Sequence, residues 1–344
     1  MNKDVFKFFD FIEGMKRVRR KVVKSPGDGG SEDGESISDH DVKTAFIVWV
    51  LGSRAGDRIN VPRAIKMALV HDFSKVDIGD DGPHAHLFSI GRRRASEVVK
   101  EWPKMSQEEK DRIYEERDKK EEEWVRGVVS SLDKGLADEI FGLWHGYQNG
   151  KCAEARFVAQ VGVLEALIQA IAHHKKDASV DLDRWWVHVK KSIDDPVILE
   201  CVEELEKREN GGGVSDNFKD IADFFDFVES LKRVRRRGSG IGVGKEETIP
   251  DHDFKMSFLV WVLGVEREGV SIDRLIKMSL VHDFSKVDIG DKGPNAHLFS
   301  IGRKRASEVV GDWADLTQEE KNKIYDERYE KETEWVRKVV SPLG

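Results

Sequence analysis

Apolar side chains recur with a helical period along almost the whole chain. Residues 5–20 place their apolar positions on one side, and Lys and Arg accumulate at the C-terminal end, where a helix dipole favours cations. Residues 39–52 are mostly apolar, and residues 61–72 carry Pro62 in the first turn, where proline is tolerated. No segment shows the strict alternation that is typical of a half-buried strand. The pattern therefore predicts an all-α protein.

Two long charged segments begin with the same type of signal. Ser106 with Glu109, and Thr317 with Glu320, have the spacing of a capping box, in which two side chains satisfy the first backbone groups of a helix. We interpret the charges that follow as the solvated faces of two long helices.

One segment of the chain occurs twice. Residues 66–99 return as residues 277–310 with four differences in 34 positions. The helical pattern of residues 5–20 also returns, at 224–234. We interpret this repetition as a tandem duplication of a whole unit.

The duplication divides the chain into two units of unequal length. We predict a complete first unit at 1–208, a Gly-rich linker at 209–216 and a second unit at 217–344. The second unit stops four residues after EWVRKVV, whereas the first continues through further helical patterns after its own EWVRGVV. We therefore expect a truncated second unit with an uncovered apolar face, which would pack against the first unit or against another copy of the chain in a homo-oligomer.

The balance of charge excludes a strongly basic surface. The 344 residues contain 57 Lys and Arg against 65 Asp and Glu, a formal net charge of −8. Nucleic acid and membranes are therefore not expected partners. The N-terminal residues lack the apolar core of a leader peptide, no apolar run approaches the roughly 18 residues of a membrane span, and there are only two cysteines. We expect an intracellular, cytoplasmic protein without disulfides.

Each unit carries a histidine near the start of one apolar helix and an adjacent His-Asp pair near the end of another. Imidazole and carboxylate together suit a divalent transition metal such as Mn, Co, Zn, Ni or Fe. Three protein ligands would leave positions open for water and substrate. The alternative for any single histidine is a core or surface residue. We predict metal ligands at His40, His71 and Asp72 in the first unit and at His252, His282 and Asp283 in the second.

These motifs give the chain a resemblance to a known family, the HD-domain phosphohydrolases, and within it to the 5'-deoxynucleotidase branch. The resemblance implies two HD-type helical bundles in tandem and a nucleoside monophosphate, or a similar small phosphate ester, as ligand. It is carried by MKRVRR at 15–20, ESISDHD at 35–41, RAIKMALVHDFSKVDIGD at 63–80 and LWHGYQNGKCAEARFVAQVGVLEAL at 143–167, with LKRVRR at 231–236, ETIPDHD at 247–253 and RLIKMSLVHDFSKVDIGD at 274–291 as counterparts.

The resemblance also implies roles for individual residues. The His, His and Asp of each unit would hold one divalent metal together with an Asp from a late helix. Arg20, and Arg236 in the second unit, would clamp the phosphate with a guanidinium fork. Asp80, and Asp291 in the second unit, would help to protonate the leaving 5'-oxygen. The alternatives are a cation at a helix end for Arg20 and a loop cap for Asp80.

The late-helix ligand is absent from its expected place. It should fall within VAQVGVLEAL, where the residue is Gly162, and the second unit lacks this segment altogether. Neither unit therefore possesses the full set of four ligands. Glu165 lies one turn further along and is either a substitute that reaches in or an ordinary partner for a nearby cation.

A second departure places a lysine three residues after each metal-binding Asp, where the family commonly has a glutamate. These residues are Lys75 and Lys286. An ammonium group about 6 Å from a divalent ion is repelled by about 5 kcal/mol at an effective dielectric near 20, yet the same cation attracts phosphate. We therefore count both lysines, with Asp80 and Asp291, as candidate catalytic side chains. His86 and His297 are further candidates for a ligand or general acid, or are plain loop histidines.

Three functions remain open on the sequence. The first is a metal-dependent nucleotide phosphohydrolase. The second is a degenerate enzyme that binds a nucleotide or another phosphate through Arg20 and Lys75 without turnover. The third is a structural or assembly component that keeps the fold for its surfaces.

Overall fold

The structure is a computed structural model, and it describes residues 4–20, 35–78, 102–236, 247–289, 308 and 311–340. Within these ranges the regular elements are α-helices and short 3-10 helices, and the extended backbone is limited to two isolated bridges. The prediction of an all-α protein is confirmed for this part of the chain.

The first unit contains nine described α-helices. Two of them, α2 and α3, pack closely together, and α7 covers both of them, with α6, α8 and α9 around it. The helices are α1 (Val5–Met15), α2 (Ile37–Arg54), α3 (Val61–Val70), α4 (Lys75–Ile78), α5 (Gln107–Val129), α6 (Lys134–Asn149), α7 (Ala153–His174), α8 (Leu182–Ser192) and α9 (Pro196–Glu209).

The second unit repeats the beginning of this arrangement. Its second and third described helices, α11 and α12, pack together as α2 and α3 do. The helices are α10 (Asp216–Leu231), α11 (Ile249–Gly264), α12 (Ile272–Val281), α13 (Lys286–Ile289) and α14 (Gln318–Val340).

Capping boxes fix where the principal helices begin. Ser36 accepts a hydrogen bond from the backbone of Asp39 at the start of α2, and the Asp39 side chain accepts one from the backbone of Ser36. Thr248 makes the same exchange with Asp251 at the start of α11. The capping boxes predicted at Ser106 and Thr317 are also confirmed. Each box satisfies backbone groups that a helix terminus otherwise leaves unpaired.

The two units pack against each other through α2 and α11, and each unit also places its first helix on the other unit's second helix. The aromatic contacts are reciprocal. Phe8 of α1 packs on Phe258 of α11 at a centroid distance of 5.8 Å, and Phe224 of α10 packs on Phe46 of α2 at 6.3 Å. Phe224 is the counterpart of Phe8, and Phe258 is the counterpart of Phe46, so the two contacts are equivalent. Such reciprocal pairing is typical of a two-fold, isologous interface, which here forms within one chain.

Polar contacts at the same interface follow this symmetry. The hydroxyl of Ser36 donates to Asp251 at 2.6 Å, and the hydroxyl of Thr248 donates to Asp39 at 2.5 Å. Ser36 and Thr248 therefore each cap their own helix and also donate a hydrogen bond to the first turn of the opposite helix. Burial raises the pKa of Asp39 to about 7, and the neighbouring carboxylate of Asp251 adds to the effect.

The units differ in what covers their apolar helices. Leu51 and Met67 are 1% and 0% exposed in the first unit, whereas their counterparts Leu263 and Met278 are 48% and 54% exposed. Helices α6 and α7 pack on this face in the first unit, and residues 217–344 contain no counterpart of α7. The expected apolar face is therefore present, and it remains exposed although the second unit packs against the first.

One described helix, α7, is long and apolar enough to cross a membrane by length and composition alone. It packs against α2, α3, α6, α8 and α9. This environment is that of a core helix, which passes the same test. The two cysteines, Cys152 and Cys201, are both free.

Candidate metal centre

The structure brings the three predicted ligands of the first unit together. His40 lies in the first turn of α2, and His71 and Asp72 follow directly after α3. The two imidazole rings are 5.3 Å apart between centroids. The Nε2 atoms of His40 and His71 lie 3.9 and 3.5 Å from carboxylate oxygens of Asp72. Three ligand atoms therefore face one point in a buried part of the unit.

The other nitrogen of each ring is occupied by the protein. His71 Nδ1 lies 2.7 Å from the backbone oxygen of Ala68, and His40 Nδ1 lies 2.7 Å from Oε2 of Glu165 on α7. The Ala68 carbonyl requires a proton on Nδ1 of His71, and we assign the same tautomer to His40 because its Nδ1 faces the Glu165 carboxylate; each Nε2 lone pair is then directed toward Asp72. Partners of this kind orient histidine ligands in metal sites. Glu165 thus holds a ligand in place.

Burial and charge set the protonation of this cluster. Burial lowers the pKa of His71 to about 4, so its imidazole is neutral at neutral pH. Burial alone would raise the pKa of Asp72, but His71 and the ammonium group of Lys75 outweigh it and hold that pKa well below its usual value. A neutral imidazole and an ionised carboxylate are the forms in which these groups bind metals.

The structure adds a fourth residue, Asp41, which the sequence analysis did not single out. Asp41 is completely buried, and neither of its carboxylate oxygens has a hydrogen-bond partner among the described residues. Its ligand atom lies within 4.8 Å of those of His40, His71 and Asp72. Burial raises its pKa well above the usual range, and the charge of Asp72 contributes. The available signal was the repeated Asp-His-Asp, which occurs in both units.

Lys75 points at the same cluster. Its Nζ lies 2.8 Å from Oδ2 of Asp72, and Lys286 makes the equivalent contact with Asp283 at 2.7 Å. In each unit, the ammonium group of a lysine therefore contacts the aspartate that is also a predicted metal ligand. The predicted catalytic role of these lysines stays a prediction.

Arg20, the predicted phosphate clamp, contacts the cluster from its side. Its Nη1 donates to Glu165 at 2.8 Å and lies 2.7 Å from His40 Nδ1 and 3.4 Å from Glu35. Its side chain is 16% exposed. In the second unit, Arg236 contacts His252 and lies 3.8 Å from Glu247. The guanidinium groups are thus near the ligands, and their role toward phosphate stays a prediction.

A buried lysine connects this cluster to the second unit. Lys43 Nζ lies 2.5 Å from Glu35, 2.5 Å from Glu165 and 2.9 Å from Glu229 of α10. Burial would lower the pKa of Lys43, but these three carboxylates raise it well above its usual value. Burial likewise opposes ionisation of Glu165, but Lys43 and His40 hold its pKa well below the usual range. Lys43, Glu35 and Glu229 were not among the predicted site residues.

The second unit assembles the same ligand types in a more open setting. The rings of His252 and His282 are 5.2 Å apart, and their Nε2 atoms lie 3.3 Å from each other and 3.9 and 3.5 Å from Asp283. The His282 side chain is 35% exposed, against 4% for His71. No residue in 217–344 corresponds to Glu165.

The predicted residues Asp80, Asp291, His86 and His297 lie outside the described residues. Three tryptophans that are rich in apolar surface, Trp144, Trp185 and Trp186, are buried in the core.

Tyr147 of α6 has a different position from the other aromatic residues. Its ring lies 5.0 Å from that of His71, and burial raises the pKa of its phenol. It forms one wall of the cluster, which the helical pattern alone did not reveal. Gly162 on α7 has no atom within 4 Å of the position that a Cβ would occupy. The expected late carboxylate is therefore replaced by open space.

Fold and cluster together define an all-α protein with a candidate divalent-metal centre made of paired histidines and aspartates. The sequence model of the family described as HD domain matches residues 12–197 and 228–329. These matches cover more than half of the chain, so the chain belongs to the HD domain family.

The chain is similar to several proteins named as 5'-deoxynucleotidases. The human 5'-deoxynucleotidase HDDC2 is 26% identical over 210 residues, which is 59% of this chain and 85% of the human protein. The mouse protein of the same name is 28% identical over 212 residues, covering 60% and 88%. The yeast 5'-deoxynucleotidase YGK1 is 27% identical over 173 residues, covering 49% and 66%.

Proposed function

We propose that this chain is a metal-dependent phosphohydrolase that acts on nucleoside 5'-monophosphates. One observation carries the proposal: His40 and His71 both present Nε2 to Asp72, while hydrogen bonds from their Nδ1 atoms hold the rings in that orientation. The names of the similar proteins supply the class of substrate.

The donor set suits the proposed cofactor. Imidazole nitrogen and carboxylate oxygen are shared ligands of Mn, Co, Zn, Ni and Fe ions. Asp41 adds a buried carboxylate whose oxygens have no hydrogen-bond partner among the described residues. Such a group is costly unless a cation lies near it. The residues therefore fit a divalent transition metal, and the choice among these metals is left to the experiment.

Several side chains of the chain itself would act on the substrate. When bound, a divalent metal supplies Lewis acidity and makes water more acidic at neutral pH. Arg20 and Lys75 would attract and orient the phosphate beside the histidines, because both cations lie at the cluster. Asp80, for which the sequence is the only support, would give a proton to the leaving 5'-oxygen.

The first unit is the proposed working site, and the second unit supports it. Glu165 orients His40, and Lys43 holds Glu165 while it also contacts Glu229 of α10. Residues 217–344 offer His252 no counterpart of Glu165, and His252 and His282 are more exposed than His40 and His71, so the second site would hold a metal more weakly. We also propose that the units arose by tandem duplication, with the boundaries 1–208, 209–216 and 217–344.

A phosphate-release assay tests the proposal. Deoxynucleoside and ribonucleoside 5'-monophosphates are supplied to the metal-free chain with Mn²⁺, Co²⁺, Zn²⁺, Ni²⁺ or Fe²⁺ added. Turnover should appear with at least one of these metals, fall by about 10³-fold or more in His71→Ala and persist in His282→Ala. Turnover that survives His71→Ala would refute the assignment of the site.

A second function is favoured by one observation, the contact between Lys75 and Asp72 at 2.8 Å. In that case the ammonium group replaces the metal charge, and the chain binds a nucleotide without hydrolysing it. A nucleotide-induced rise in melting temperature, with no bound metal and no phosphate release, would support this function over hydrolysis.

A further inference from the structure

We propose that Asp41 supplies the carboxylate ligand that Gly162 cannot, which completes a set of two imidazoles and two carboxylates at the first site. This inference rests on the proposed function, because it assumes that a divalent metal binds between His40, His71 and Asp72. It assigns a ligand to a helix, α2, that the family pattern uses only for its histidine.

The need for another ligand comes from α7. This helix faces the cluster through Glu165, and Gly162 lies one turn earlier on the same helix, so it occupies a neighbouring position on the same face. A glycine offers no donor atom, and the space that its side chain would enter contains no atom within 4 Å. Glu165 does not replace the missing ligand, because its carboxylate is engaged by Lys43, Arg20 and His40 Nδ1.

Asp41 is placed to fill this role. It is 0% exposed, both of its oxygens lack a hydrogen-bond partner among the described residues, and one of them lies within 4.8 Å of a ring nitrogen of His40, a ring nitrogen of His71 and a carboxylate oxygen of Asp72. A buried carboxylate without a partner is unfavourable, and a cation in the cluster removes that cost. The second unit repeats the arrangement, because Asp253 is also fully buried with both oxygens unpaired among the described residues.

Asp41 also lies near the Nδ1 atom of His71, at 3.5 Å. That nitrogen carries at most one proton and already donates to the backbone oxygen of Ala68 at 2.7 Å. Orientation of His71 therefore does not require Asp41. A direct ligand role accounts for its burial, whereas a role as partner of His71 leaves its oxygens unsatisfied.

The charge of the cluster agrees with this assignment. Asp72 alone offers one negative charge, which it shares with Lys75 at 2.8 Å. A bound divalent cation favours the ionised form of Asp41, and the two carboxylates together then match the charge of that cation. Lys75 can then face a bound phosphate without leaving the metal site positively charged overall.

Metal titration of the full chain tests the proposal. The metal-free wild type, Asp41→Asn and the matched variant Asp253→Asn are titrated with Mn²⁺, and binding is followed by electron paramagnetic resonance and calorimetry. Asparagine keeps the shape and removes the charge. We expect Asp41→Asn to weaken the tight site about 100-fold or more and Asp253→Asn to change its affinity less than about twofold. Circular dichroism of the metal-free proteins verifies folding.

A rescue variant separates a ligand from a residue that merely supports the fold. Asp41→Asn combined with Gly162→Asp returns a carboxylate to α7, where the open space around Gly162 accommodates it. We expect this double variant to recover Mn²⁺ affinity to within about tenfold of the wild type. The visible absorption of bound Co²⁺ should change in Asp41→Asn and should return toward the wild-type spectrum in the double variant.

The outcomes for the inference and for the proposed function are distinct. Equal Mn²⁺ affinity in folded wild type and Asp41→Asn overturns the inference and leaves the proposed function standing. A metal affinity that depends on Asp41, without hydrolysis of any nucleoside monophosphate, supports the inference and refutes the proposed function. A wild-type chain that binds none of Mn²⁺, Co²⁺ or Zn²⁺ overturns both.

Discussion

The two histidine clusters contain the same residue types at nearly the same distances, but their surroundings differ. In both, the rings lie just over 5 Å apart, and a lysine contacts the aspartate at less than 3 Å. Only the first cluster lies beneath α7, with Glu165 behind His40. The distances within each cluster therefore follow from the repeated helices, whereas the carboxylate behind His40 comes from α7, which has no counterpart in residues 217–344.

The interface between the two units also combines a symmetric arrangement with a local difference. It is nearly symmetric in its aromatic and capping contacts, yet its charged contacts serve the two clusters unequally. Glu229 reaches the buried Lys43 beside the first cluster, whereas its counterpart Glu13 contacts Lys16 and the more exposed Lys255. The first unit makes the reciprocal contacts to the second, but Lys255 is 37% exposed whereas Lys43 is 3% exposed, so the two contacts differ in burial.

Truncating a counterpart pair of methionines should give the largest difference between the units. Met67 is fully buried and packs against Gly146, with its Cε 3.7 Å from the position that a Cβ on this glycine would occupy. Met278 is 54% exposed. We expect Met67→Ala to lower the free energy of unfolding by about 3 kcal/mol, because it leaves a cavity, and Met278→Ala by less than about 1 kcal/mol. Urea denaturation measures both. Equal losses would show that the face around Met278 is covered in solution.

The charged contact across the interface should give the next largest difference. Glu229→Gln leaves the buried Lys43 with one carboxylate partner fewer, so we expect a loss of about 2 kcal/mol in unfolding free energy. Glu13→Gln removes a partly exposed contact and should cost about 0.5 kcal/mol. A loss in Glu13→Gln as large as that in Glu229→Gln would contradict the asymmetry of the interface.

The pH dependence of the same variant sharpens this prediction. Burial opposes ionisation of Glu229, but Lys43 and Lys232 outweigh it and lower the pKa below 4.5 in the folded chain. A lowered carboxylate pKa stabilises the fold above the unfolded value, and that stabilisation is lost as the pH falls through the folded pKa. The difference in unfolding free energy between wild type and Glu229→Gln should therefore be largest at pH 7 and become smaller in acid. A gap that widens below pH 4.5 would contradict the account.

The smallest predicted effect concerns the lysines at the aspartate ligands. Lys75→Met removes a cation 2.8 Å from Asp72, so we expect the Mn²⁺ affinity of the tight site to rise about tenfold. Lys286→Met removes the equivalent contact at Asp283 and should leave the tight site unchanged. Calorimetric titration of both variants makes the comparison, and an affinity that falls in Lys75→Met would mean that the lysine supports the metal site.

The all-α fold class and the proximity of His40 to His71 could be predicted from the sequence, because both depend on local signals and on helices that are adjacent in the chain. Helical periodicity and capping boxes are local signals, and the boxes at Ser106 and Thr317 are present as expected. The His-Asp pair lies at the C-terminal end of α3, and His40 lies near the N-terminal end of α2. Packing of these two helices is therefore enough to bring the three residues together.

The missed residues depend on contacts between distant parts of the chain. Lys43 meets Glu229 only because α10 packs on α2, and the sequence separation of these residues gives no local signal. The position of Tyr147 beside His71 follows from the packing of α6 on α3. Asp41 had a visible signal in the repeated Asp-His-Asp, but its lack of a hydrogen-bond partner required coordinates. Domain boundaries, cytoplasmic location and the roles of Asp80 and Asp291 stay predictions.

Metal stoichiometry tests the difference between the two clusters most directly. The metal-free full chain is titrated with Mn²⁺ in the wild type, in His71→Ala and in His282→Ala. We predict one tight equivalent per chain that is lost in His71→Ala and retained in His282→Ala, because both histidines of the first cluster are buried and Glu165 orients His40. Two equivalents of equal affinity, or a tight equivalent that survives His71→Ala and disappears in His282→Ala, would contradict this account.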